Sequence, residues 1–241
     1  MPKTTAAILL LLTGYFHCQA QDSNEENFTG AAINNAITLY YQFTEKQARL
    51  YNGLEYYDYS PKLQGHAYFM DSSWKTGSII YDGITYRDVS MMYDLVRDEV
   101  VILHFNNIKK MGLLSEKVKE FTLQGHHFLR IEKDSLSKSP LTTGFYDKLY
   151  EDRSAVLARR IKIIEEKVTN EVEQYITVHD HYYIRKEGVY HEVSTYKGLL
   201  DIFKTDAKEI RQYLRKNKIR YRKNRENAIM KAVAYYDSIK K

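Results

Sequence analysis

The chain has 241 residues, 44% of them hydrophobic and 28% charged, with 3 Pro, 11 Gly and a formal net charge of +5. This balance is that of a globular protein and excludes a disordered or collagen-like one; the length suits one domain, or one domain with an appendage, holding its own core. A single cysteine excludes a disulfide framework and any clustered thiolate metal site.

Lys3, the apolar run 6–12 and the small residues Cys18 and Ala20 make the three parts of a secretory signal, residues 1–20, with cleavage expected after Ala20. The run falls well short of the roughly 20 residues that span a bilayer, so no transmembrane helix is expected in the mature chain. Export would leave the protein periplasmic, outer-membrane-associated or extracellular, and would remove Cys18 with all thiol chemistry. Residues 21–30 are polar and aperiodic and read as a disordered lead-in.

Residues 31–194 read as an antiparallel β-rich body. The β-branched and aromatic run 36–43 suggests a first strand, and 47–69 an extended loop with short strand pieces. Asp82-Gly83 is the dipeptide of a two-residue type I′ hairpin, and it pairs Tyr81 with Ile84 and Ile79 with Tyr86. Further hairpins are expected around 97–99, around Gln124-Gly125 with Phe121 facing Phe128, and around 151–153. The segment 155–168 fits a strand or a helix equally well. A last hairpin joins 175–185 to 189–193 through a three-residue loop, Lys186-Glu187-Gly188. Hairpins in succession make a meander, curved or closed into a partly open barrel, so the fold class is α+β, mainly antiparallel β with a short helical end.

After Ser194 the period becomes helical. A short turn at 199–203 precedes a helix carrying Ala207, Ile210 and Leu214, then one capped by Asn224 and carrying Ile229, Ala232, Val233 and Tyr236. This segment, 195–241, holds 14 Lys and Arg against 5 Asp and Glu, whereas residues 21–194 hold 21 against 26. The helices are expected to pack on the body or be appended to it.

Two groups of residues invite chemistry. On the expected register His179, His181 and His191 share one face of the last hairpin, where neutral imidazoles would suit a divalent metal and a metal-dependent enzyme. Seven cations crowd the other group: Arg215, Lys216, Lys218, Arg220, Arg222, Lys223 and Arg225. For an exported chain they point to an anionic envelope component or another envelope protein, not to nucleic acid. No nucleophile elbow, phosphate loop or helical zinc motif is present, so no cofactor other than that metal is expected.

Several short patterns run through the chain: Leu50-Tyr51-Asn52-Gly53 with Glu55-Tyr56, Gly65-His66-Ala67-Tyr68-Phe69, and Gly77 ahead of Tyr81-Asp82-Gly83 and Tyr86. Tyr93-Asp94-Leu95, Gly144-Phe145-Tyr146 and the tail 199–236 continue the series. In these the chain resembles a group of exported Bacteroidota proteins with no assigned activity. The resemblance implies export and a β-then-α order, and no mechanism. The expected function is a non-enzymatic ligand- or partner-binding module of the cell envelope, with a groove in a curved sheet as one form of binding site.

Overall fold

The computed structural model describes residues 32, 33, 35, 36, 49–104, 108–133, 139–168 and 172–240. The chain divides into two compact units, Met1–Glu45 and Lys46–Lys241. In the first, the four described residues are helical. Ala36 is thus not in a strand, and the rest of the expected strand 36–43, the signal segment 1–20 and the lead-in 21–30 lie outside the described residues.

Among its described residues the second unit has eleven strands: β1 (Leu54–Glu55), β2 (Lys75–Tyr81), β3 (Ile84–Asp94), β4 (Glu99–Leu103), β5 (Lys110–Gly112), β6 (Val118–Leu123), β7 (His126–Ile131), β8 (Gly144–Glu151), β9 (Ala155–Val168), β10 (Val172–Lys186) and β11 (Val189–Val193). Three helices follow: α1 (Tyr196–Phe203), α2 (Ala207–Lys216) and α3 (Arg225–Ile239). The Asp82-Gly83 turn forms as its sequence dictates, with φ of 51° and 78° and the pairs Tyr81–Ile84 and Ile79–Tyr86. Phe121 faces Phe128 with stacked rings 4.8 Å apart. The ambiguous segment 155–168 is strand β9, paired along its length with β10 from Val168–Val172 to Ala155–Arg185. Its four-residue apolar run Ala155–Ala158 is buried on both faces, which one layer of helices and one loop cluster make possible.

One sheet contains all eleven strands, in the order β1-β5-β4-β3-β2-β6-β7-β8-β9-β10-β11, and it is not closed into a barrel. It is not a simple meander. After β5 the chain passes the β3–β4 turn, where the Ser115 hydroxyl donates to the Asp98 carbonyl, and enters as β6 beside β2. The sheet curls strongly. Four strand spacings separate β3 from β8, about 19 Å if the sheet were flat, yet the Tyr93 and Phe145 rings lie 5.8 Å apart. Tyr93 also meets Phe121 at 5.1 Å and Phe128 at 5.0 Å, so side chains fill the concave face.

A strap, residues 56–71, spans the curl. Gln64 pairs with the outer edge of β10, with Gln64 N donating to Gln174 O and Ile176 N to Gln64 O. Phe69 N then donates to Tyr93 O, and Leu95 N to Ala67 O, tying the strap to the end of β3. On the opposite edge of the β9–β10 arm, Lys162 N donates to Leu95 O. The helices cover the other end of the sheet. Leu199, Leu200, Phe203, Ile210, Leu214, Ile229, Ala232, Val233 and Tyr236 form one buried cluster with Val156, Ala158, Tyr182, Ile184 and Val193. Sheet and helices therefore belong to one compact unit. No helix among the described residues is long and apolar enough to cross a membrane.

Candidate functional site

The histidine hairpin has a different register from the expected one. Its loop is two residues, Glu187-Gly188, both at positive φ, so Lys186 pairs with Val189 and Ile184 with His191. Successive strand residues point to opposite faces. His191 therefore lies on the face of Ile184, away from His179 and His181. His181 Nδ1 sits 3.2 Å from Glu192 Oε1, and His179 Nε2 lies 3.0 Å from Thr177 Oγ1. The three imidazoles do not converge, and no group of three or more His, Cys, Asp or Glu side chains placed to hold a metal occurs among the described residues.

Buried charge lies elsewhere, in places the sequence reading missed. Asp147 on β8 and Arg160 on β9 point into the interface between sheet and helices. Arg160 donates to Asp147 at 2.6 and 3.2 Å, to Asp180 at 2.9 Å, and pairs with Glu226 of α3 at 2.7 Å. His126 Nδ1 completes the surroundings of Asp147 at 2.8 Å. Burial opposes the Arg160 charge, and Glu226 and Asp147 outweigh it, holding the guanidinium charged.

A second centre lies at the end of β3. Asp94, fully buried, accepts from the Tyr56 and Tyr59 hydroxyls and from the backbone of Val96 and Arg97. The Arg97 guanidinium lies over both tyrosine rings, 4.6 and 4.4 Å from their centroids. Burial first, then hydrogen bonding with Tyr68 and the Asp94 charge, push the Tyr56 hydroxyl far above its ordinary pKa. Nearby, Lys162 donates to the carbonyls of His66 and Tyr68 at 2.8 and 2.6 Å, fastening the strap, and burial lowers the pKa of its ammonium. Asp98 accepts from Tyr93 and Arg159, and Asp237 of α3 accepts from Ser154 and Tyr150. These clusters join strand to strand, strap to sheet and helix to sheet. Their carboxylates accept from donors of the fold itself, while Asp147 Oδ1 is buried without a partner among the described residues.

A weak sequence signal for them exists. Asp94, Asp147 and Asp237 each follow a tyrosine at the end of an apolar run. Asp58 and Asp82 also follow tyrosines, however, and lie at the surface. The dipeptide alone does not separate the two.

The basic segment is a different kind of site. Lys218 takes a left-handed φ of 57°, ending α2, while Lys218 N donates to Arg215 O and Ile219 N to Leu214 O. Lys223 N and Asn224 N both donate to Arg220 O, and Asn224 Oδ1 caps α3 by accepting from Asn227 N. Ile219 and Tyr221 pack on the helical core, with Tyr221 against the Tyr196 ring. The residues between and around them, Arg215, Lys216, Lys218, Arg220, Arg222 and Lys223, are exposed. None of these six forms an ion pair or a side-chain hydrogen bond with any described residue. Arg225 differs from its neighbours: its guanidinium donates to the Val193 carbonyl and lies 4.8 Å over the Tyr182 ring. Of the seven cations expected to act together, six are exposed and Arg225 is an internal anchor.

Arg215 and Lys216 complement the dipole at the C-terminal end of α2, but Arg220, Arg222 and Lys223 precede the N-terminus of α3, where positive charge is unfavourable. Mutual repulsion adds to this. The turn holds a concentration of positive charge on an ordered seat. Comparison with protein families, with curated proteins and with solved structures gives no match.

Proposed function

We propose that this protein is an exported, non-enzymatic binding module of the cell envelope, and that the turn between α2 and α3 is its contact with an anionic partner. The observation that carries this reading is the set of six exposed cations, without an ion-pair partner among the described residues, on a turn anchored by Ile219 and Tyr221. Two further features support it. The concave face of the sheet is packed with aromatic rings, and the buried carboxylates of Asp94, Asp147 and Asp237 each accept from donors of the fold itself. The amino-terminal signal pattern supplies the address.

The test is retention of the natively produced protein on immobilised heparin, used as a generic polyanion. Its amino terminus is expected at Gln21, and an intact Met1 would overturn export. Retention should weaken steeply with salt, and Arg220→Glu with Arg222→Glu should lower affinity by about 1,000-fold, from roughly 1 kcal/mol for each charge removed and a like amount for each charge reversed. Unchanged retention of that variant would overturn the turn as contact surface.

A further inference from the structure

The form of the basic turn narrows its partner, on the reading that the turn is the contact surface. Its exposed functional groups are ammonium and guanidinium ions, with Asn217 and the capping Asn224 the only other exposed polar side chains among residues 215–224. The aromatic rings nearest in sequence are occupied. Tyr221 packs against Tyr196, and Tyr213 stacks on Tyr235 at 4.2 Å with the planes 8° apart. Single-stranded nucleic acid is held by aromatic platforms free to stack on bases, and the turn presents none. Reading a duplex needs side chains on a helix face that reach base edges. Here the cations cluster where α2 ends and α3 has not begun, at the tip of two helices packed on each other.

An exposed tip bearing point charges, with Ile219 and Tyr221 packed on the helical core, fits a surface of closely spaced phosphates that needs neither shape recognition nor insertion. Clusters of four to eight Lys and Arg are the size that binds anionic lipid through charge alone. We infer that the α2–α3 turn docks the protein peripherally on an anionic phospholipid surface, with Arg215, Lys216, Lys218, Arg220, Arg222 and Lys223 over the headgroup phosphates. Because Ile219 and Tyr221 are committed to the helical core, the turn rides at the headgroup level and does not enter the hydrocarbon.

Co-sedimentation with vesicles tests this, using phosphatidylcholine alone and phosphatidylcholine with about a quarter phosphatidylglycerol. Heparin and a DNA duplex at equal charge concentration serve as soluble competitors. Binding is expected only to the phosphatidylglycerol vesicles, with release as the screening length falls below about 8 Å. The triple variant Lys218→Gln, Arg220→Gln, Arg222→Gln should bind about 100-fold more weakly, each charge contributing roughly fivefold. Lys62→Gln, Lys119→Gln and Lys167→Gln remove equal charge from exposed positions on the strap and sheet and should leave binding unchanged. Equal losses in the two triple variants would overturn the turn as docking surface in favour of net charge. Tighter binding of heparin or duplex than of the phosphatidylglycerol vesicles at equal charge concentration would overturn lipid as the partner while leaving the turn an anion site. Failure to bind vesicles or either polyanion would overturn both readings. Unchanged circular dichroism in each variant confirms that folding is not what the binding assay reports.

Discussion

Arg160 shows how much of this molecule depends on single charged groups. Its guanidinium is about nine-tenths buried, and it connects Asp147 of β8, Asp180 of β10 and Glu226 of α3. Removing one member of such a set leaves the others buried without compensation, which costs more than the set contributed. Arg160→Met should therefore lower stability by about 3–5 kcal/mol, measured from urea midpoints. Adding Asp147→Asn should recover part of the loss, since the neutral amide no longer needs a countercharge. Recovery is the telling outcome, because a purely steric role for Arg160 would predict none. This residue was not legible in advance. Arg159 and Arg160 are identical neighbours in sequence, and both turn inward from opposite faces of β9, Arg159 to Asp98 and Arg160 to Asp147. Strand alternation says that they face opposite ways but not that each face is covered.

At the scale of elements the local rules held well. The helix that Asn224 caps begins at Arg225, and Asn224 Oδ1 accepts from Asn227 N at 2.9 Å. Asn224→Ala should cost about 1 kcal/mol, read as a shift in thermal midpoint. The cap also holds the end of the basic turn, so the same variant should weaken anion binding less than loss of Arg222 does. Hairpins with an Asx-Gly or Gln-Gly turn formed as their sequences imply, because the turn residues themselves must supply positive φ. The last hairpin has a loop one residue shorter than its sequence suggests. Glu187 takes a left-handed φ of 51°, which its type does not advertise, and the shorter loop inverts the facing of His191. One residue of register moves a side chain to the other face, so the histidine constellation dissolved with it.

For the whole molecule, the helical layer and the sheet stand or fall together, since one apolar cluster contains both. Three tyrosines at this layer and on the opposite face report its integrity. Burial pushes Tyr150, Tyr182 and Tyr183 each to about 12, helped by Asp237 for Tyr150, by Asp180 and Glu226 for Tyr182, and by Tyr146 and Glu192 for Tyr183. An unfolded tyrosine titrates near 10. Between about pH 10 and 12 the unfolded chain has released protons that the native chain retains, so stability falls as pH rises through that window. Below it these groups contribute no slope. Tyrosinate absorbance should show this late-titrating class appearing near pH 12 or together with unfolding. Stability constant from pH 10 to 12 would contradict the burial of these hydroxyls.

What the sequence determined by itself was local: the positive-φ hairpin turns, the helical period after Ser194, the Asn224 cap and the density of charge between residues 215 and 225. Each depends on residues a few positions apart, which short-range sterics and hydrogen bonding decide. Tertiary structure alone decided that β6 returns beside β2, that the sheet curls until Tyr93 meets Phe145, and that Asp94, Asp147 and Arg160 are buried. It also decided that Arg225 turns in while its six neighbours stay out, because Val193 and Tyr182 lie within reach of that one side chain. These outcomes follow from contacts across many tens of residues, where burial of the whole apolar surface outweighs any local preference.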